Sequence, residues 1–170
     1  KHLGLFFLPI VLNQWGKGFL KEKSKYLTRM NKVPQNKLRV GLLWNAGKHS
    51  APQPERSARI RDIPFNLLWG IANKWRNKFE IDLLSLQLTD NNELAVKQKI
   101  ESGELIQPLK SSDWLETAKV LESLDLVVSV DTSVAHLAGA MNIPCLLMLG
   151  CPSDWRWGQK EKHTLIYKSF

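Results

Sequence analysis

From residue 38 onward, short apolar runs alternate with stretches in which apolar positions recur every three or four residues. Residues 38–44 are mostly apolar throughout, the pattern of a strand covered on both faces. Pro64 at a helix first turn opens residues 65–78, where Leu68, Ile71, Ala72 and Trp75 share one helical stripe. Residues 81–86 predict the next strand, 93–101 a short helix stopped near Gly103, and 105–106 the start of a weaker strand. Asp113 followed three residues later by Glu116 is a capping-box-like signature that opens a helix to about Ser123. Leu126–Val130 is the clearest buried strand, and 133–141 a helix ended by Asn142 and Pro144. Residues 145–150 predict another buried strand and 165–168 a last one.

Strict alternation of strand and helix predicts an α/β, Rossmann-like three-layer domain, a mostly parallel sheet with helices on both faces. Such sheets bind ligands beyond the carboxyl ends of their strands, near the point where strand order reverses. The loops after Trp44, Leu86, Val130 and Leu149 are therefore where chemistry is expected.

Residues 1–37 differ. Positions 3–12 are apolar, too short a run for the roughly 20 residues that span a bilayer, and interrupted by Pro9. A charged, poorly periodic connector follows and ends at Pro34-Gln35-Asn36. The expected division is thus a leader or linker over 1–37, the tail of a missing N-terminal half, and a folded domain over 38–170. The apolar leader is expected to be exposed, swapped between chains or packed on a partner.

The 170 residues suffice for one domain, and 44% apolar with 24% charged residues excludes collagen-like, low-complexity and wholly disordered chains. The net charge of +8 is confined to the start of the chain. Residues 1–40 hold nine bases against one acid, which leaves fifteen of each sign in 41–170. A nucleic-acid-binding domain spreads its positive charge over the folded body, so no nucleic-acid partner is expected. Two cysteines outside any CxxC pair make no disulfide framework and point to a reducing compartment, the cytoplasm.

The strongest chemical signal is the stretch from Ser129 to Ala140, where a buried strand runs straight into a helix through Asp131-Thr132-Ser133. Side chains of these types cap a helix whose free N–H groups form an anion site. His136, three residues after Ser133, sits one turn in and can face the same mouth; the alternative is a half-buried histidine satisfied within the fold. A second loop, from Asn45 through Gly47 and Lys48, permits close backbone approach and carries a cation for phosphate. It matches neither dinucleotide nor P-loop fingerprints. Arg56, Arg59 and Arg61 add positive charge to it or lie in solvent. Gln87 follows the second strand, and Glu93 opens the next helix where an acid can take ribose hydroxyls. In the last loop, the Trp-Arg-Trp of residues 155–157 would close over a ligand ring or pack on a missing domain. Cys145, Cys151, His136 and His163 have no standard zinc spacing, so no metal site is expected.

Several of these blocks stand together in one order: Val40-Gly41-Leu42-Leu43-Trp44, Arg61-Asp62-Ile63-Pro64 and Ser85-Leu86-Gln87. The block from Asp125 to Ala140 follows, then Pro144, Asp154-Trp155-Arg156-Trp157 and Tyr167. In this the chain resembles the C-terminal half of bacterial glycosyltransferases fused to tetratricopeptide repeats. These are related to the ADP-heptose:lipopolysaccharide heptosyltransferases of glycosyltransferase family 9.

The resemblance covers roughly residues 26–170 and implies one half of a two-domain GT-B architecture, the half that holds a nucleotide-diphosphate sugar. It implies that Asn45, Gly47 and Lys48 meet the donor phosphates. Asp131, Thr132, Ser133 and His136 would contact diphosphate and sugar, and Glu93 would take the ribose. Transfer is expected to be inverting and metal-independent, with no cofactor beyond the sugar nucleotide. The general base and acceptor site are expected in a missing N-terminal half or partner chain, so no catalytic residue is assigned here. A non-catalytic Rossmann-like module binding a nucleotide or a protein is the alternative.

Overall fold

A computed structural model describes residues 36–46, 61–88, 94–110 and 113–151, with 153, 154, 157, 167, 169 and 170. The expectations for residues 1–35, including the apolar leader, lie outside the described residues. So do Gly47, Lys48, Arg56, Arg59, Glu93, Trp155, Arg156 and most of the predicted last strand.

Among the described residues four strands and four helices follow one another, with two helices in succession before β3: β1 (Arg39–Leu43), α1 (Phe65–Phe79), β2 (Asp82–Ser85), α2 (Leu94–Glu101), α3 (Trp114–Glu122), β3 (Leu126–Val130), α4 (Ser133–Ala140) and β4 (Cys145–Met148). All strand pairs are parallel, in the order β2-β1-β3-β4. The chain leaves β1 towards β2 on one side, then returns to lay β3 on the other. The sheet therefore switches direction between β1 and β3, where Leu43 pairs with Ser129 at the carboxyl ends. Residues 105–106 contribute one parallel bridge, Leu84 to Ile106, on the outer side of β2.

Each strand distributes its side chains to two cores, as a period of two requires. Val40, Leu42, Leu83 and Val128 face α1 and α2, with Trp44, Phe65, Leu68 and Trp69. Leu43, Leu84, Val127 and Cys145 face α3 and α4, with Leu121, Ala135, Ala138 and Ile143. Gly41 in β1 admits a close approach, since a Cβ there would lie 2.5 Å from Leu124 Cδ1 and 2.8 Å from Leu86 Cδ1.

The helix ends follow their sequence signals. Asp113 caps α3 by accepting from the Leu115 N–H at 2.9 Å. The reciprocal half of the capping box is redirected, because Glu116 Oε1 accepts from the Lys110 N–H at 3.2 Å. Gly103 ends α2 at φ 71°, and Asn142 ends α4 at φ 57°. After α4 the Asn142 N–H donates to Gly139 and the Ile143 N–H to Ala138, the paired bonds of a Schellman turn. One expectation is corrected at β4: among the described residues it is the outermost strand, and Leu146 on it is 50% exposed rather than buried. An apolar run is read as buried on both faces, yet Leu147 and Met148 of β4 are also only half-buried. Its Cys145 N–H bonds to the Ser169 carbonyl at 2.9 Å, so the C-terminal residues approach this strand.

Candidate functional site

Because all four strands are parallel, the loops that follow them emerge along one edge of the sheet. The structure ties the first two together: the Asn45 N–H donates to Gln87 Oε1 at 3.1 Å. Gln87 is itself held, its N–H on Ser85 Oγ at 3.2 Å and its carbonyl on Gln107 Nε2 at 3.0 Å. Gln87 is thus a strut under Asn45.

The loop after β1 leaves and returns at one stem. The Ile63 N–H donates to the Trp44 carbonyl at 2.9 Å, and the Ala46 N–H to Asp62 Oδ1 at 2.8 Å. This stem places the half-buried Arg61 across the switch point, where its Nη1 donates to the Asp131 carbonyl at 3.4 Å. The loops after β1 and β3 therefore meet through Arg61. Local pattern marks Arg61 only as loop charge and Asp62 only as part of a motif; the pairing of both with residues on either side of the switch point needs the fold.

The β3–α4 turn is built from hydroxyls. The Ala135 N–H donates to Thr132 Oγ1 at 3.4 Å, which makes Thr132 the N-cap. Thr132 Oγ1 lies 3.2 Å from Ser129 Oγ, and Ser129 Oγ donates to the Val130 carbonyl at 2.7 Å. Ser129 has a single proton and spends it on Val130, so Thr132 is the donor in the pair. Asp131, offered with Thr132 as a capping residue, is 7% exposed at the strand end, and the cap itself is Thr132. Ser133 is exposed at the first helical position. The Thr132 carbonyl accepts the His136 N–H at 3.3 Å. The first-turn amides of Ser133 and Val134 have no intrahelical acceptor, as at any helix start, and the positive end of α4 points out of the turn.

His136 is half-buried, and its Nδ1 lies 3.0 Å from the Tyr167 hydroxyl. Its ring stacks on Trp157, centroids 4.6 Å apart and planes 25° apart. Trp157 stacks in turn on Phe170 at 5.8 Å and 10°. At 3% exposure, Trp157 is buried against its own chain, which corrects the expectation that it closes over a ligand or meets a missing domain. Tyr167 reaches His136 because Gly139 has no side chain: a Cβ there would lie 2.4 Å from Tyr167 Cγ. Local pattern sets Tyr167 and Gly139 within motifs and assigns neither a role.

Of the expected donor-site residues, Asn45, Gln87, Asp131, Thr132, Ser133 and His136 are described, and all lie at the carboxyl edge of the sheet. Gly47, Lys48 and Glu93 are outside the described residues. Among the described residues, no group of three or more His, Cys, Asp or Glu is placed to hold a metal ion. No described helix is long and apolar enough to cross a membrane.

Comparison with known proteins bears on the same edge. Residues 92–166 match the family described as Glycosyltransferase family 9 (heptosyltransferase). The match covers less than half of the chain, and within it lie β3, the Asp131–His136 turn and α4. Asn45, Arg61 and Gln87 fall before it. No curated protein and no solved structure matches the chain. The sheet and helices define a Rossmann-like α/β domain whose second half is similar to a glycosyltransferase family.

Proposed function

We propose that this domain is the donor-binding half of an inverting, metal-independent glycosyltransferase of GT-B architecture, and that it holds a nucleotide-diphosphate sugar. The observation that carries the reading is the place of the β3–α4 turn. It lies at the sheet's switch point, where doubly wound folds take nucleotides, and inside the segment similar to glycosyltransferase family 9.

The chemistry of the edge suits a diphosphate. The first-turn amides of α4 and its dipole favour an anion, and Arg61 brings a permanent cation to the same turn. In transfer, an acceptor hydroxyl attacks the anomeric carbon from the face opposite the leaving group, with inversion. The bond from that carbon to the diphosphate oxygen breaks, and the nucleoside diphosphate leaves with the electron pair. The acceptor proton goes to a carboxylate of the acceptor-binding half of that architecture. Amides and cations that meet the developing charge on the diphosphate lower the barrier to its departure. Asn45, Lys48 and Arg61 serve the phosphates in this reading. Asp131, Thr132, Ser133 and His136 serve the diphosphate and sugar, and Glu93 the ribose.

Thermal denaturation with a panel of nucleoside diphosphates and their sugar conjugates tests the reading. A ligand at 100 times its Kd raises stability by about 2.7 kcal/mol, enough to move the midpoint by several degrees. At least one nucleoside diphosphate is expected to do so. A panel without any shift overturns the proposal.

A further inference from the structure

Tyr167 stands 31 positions after His136, yet three independent features converge on the pair. The hydroxyl is 3.0 Å from His136 Nδ1. The ring lies on Gly139, one turn along the same helix, with no room for a Cβ between them. Trp157 covers the imidazole at 4.6 Å, and Phe170 lies 5.1 Å from the Tyr167 ring. Tyr167 is 8% exposed, so its hydroxyl is largely removed from water and its bond to His136 is a buried one.

The pairing has a preferred sense. A neutral imidazole presents one nitrogen as donor and the other as acceptor, and the bond made by one decides the state of the other. A phenol is a better donor than acceptor, and an imidazole nitrogen a better acceptor than a phenol oxygen. The stronger arrangement is therefore Tyr167 O–H donating to His136 Nδ1, which leaves the imidazole proton on Nε2. The stacked Trp157 fixes the plane of the ring.

We propose that Tyr167 is a positioning residue for the donor site: it holds His136 as the Nε2–H tautomer, in one orientation, in the first turn of α4. The inference rests on the reading of this edge as a nucleotide-diphosphate-sugar site, and it makes the C-terminal segment part of that site. In that reading His136 serves the donor through Nε2, an atom the fold buries, and Tyr167 acts through it. A histidine that could exchange tautomers would present a donor for only part of the time, and the affinity for an anion would fall by that fraction.

Nitrogen-15 NMR of the imidazoles in the full 170-residue chain, with the His136 signals assigned by their loss in His136→Asn, reads the tautomer directly. The unsubstituted protein is expected to show His136 with its proton on Nε2. Tyr167→Phe keeps the ring on Gly139 and removes only the hydroxyl. That variant is expected to show a tautomer mixture and about a 2-fold loss in calorimetric affinity for nucleoside diphosphates, the share an even mixture takes from the Nε2–H form, with its melting temperature within a few degrees of the parent. A proton on Nδ1 in the unsubstituted protein overturns the proposal without any variant being needed. So does an unchanged tautomer, or an unchanged affinity, in Tyr167→Phe. If no nucleoside diphosphate binds either protein, the donor-site reading fails, while the tautomer spectra still decide what Tyr167 does to His136.

Discussion

Tyr167 lies so close over Gly139 that a Cβ on that glycine would fall 2.4 Å from Cγ of the phenol ring, with both Cδ atoms within 2.7 Å. The glycine is needed for clearance. The clash would be with the root of a buried ring, which cannot swing aside as a chain end can. Gly139→Ala is therefore expected to cost about 1–3 kcal/mol by overpacking. Urea denaturation measures it, and a cost near zero would show that Tyr167 is not held where it is described.

Gly70 gives the opposite sign from the same chemistry. It lies exposed inside α1, and a Cβ there meets nothing within 4 Å. Alanine at this position gains helix propensity and reduces the freedom of the unfolded chain. Gly70→Ala is expected to stabilise by about 0.5–1 kcal/mol. A pair of denaturation curves distinguishes the two glycines.

Thr132 caps α4 and passes its own proton to Ser129. Thr132→Ala removes both bonds and is expected to destabilise by about 0.5–2 kcal/mol, whereas Thr132→Ser keeps them and costs less. Equal losses in the two variants would mean that the hydroxyl is not what holds the turn.

The two cysteines are predicted to part in reactivity. Cys151 is exposed, while burial pushes the Cys145 thiol up to about 12. A thiol reagent at pH 8 is expected to label Cys151 in the native chain and Cys145 only after denaturation. Linkage gives a second readout. Unfolded, Cys145 ionises near 9, so between 9 and 12 the folded chain keeps a proton that the unfolded chain has released. Its contribution to stability is present below about pH 9 and is lost as the pH rises towards 12. Cys145→Ala should flatten that part of the stability profile.

How much of this was legible in the sequence varies by element. Leu126–Val130 could be read to the residue, because an apolar, mostly β-branched run stands between Asp125 and Asp131. The helix ends were legible at Asp113, Gly103 and Asn142, where one residue type meets one backbone need. Glu116 was legible as a partner of a free N–H but not of which one, since Lys110 competes with the cap residue for it. That β4 is the outermost of the described strands was not legible: strand order is set by which crossover lies where, and an apolar run does not carry it. In the site, the edge carrying Asn45, Gln87 and Asp131 followed from parallel topology alone. The Arg61 bond to Asp131 spans 70 positions and the Tyr167 bond to His136 spans 31, distances at which local pattern has no reach.

The central claim is that a nucleoside diphosphate binds where β3 runs into α4, and calorimetry on three proteins tests it most directly. The chain itself should bind at least one nucleoside diphosphate with 1:1 stoichiometry. Arg61→Ala and His136→Ala, each removing a donor from that turn's surroundings, should bind it at least about 10-fold more weakly, the worth of one charge-assisted hydrogen bond. Both should remain folded by circular dichroism at the temperature of the titration. Binding of undiminished affinity in both folded variants, or no binding by the parent chain, would contradict the account.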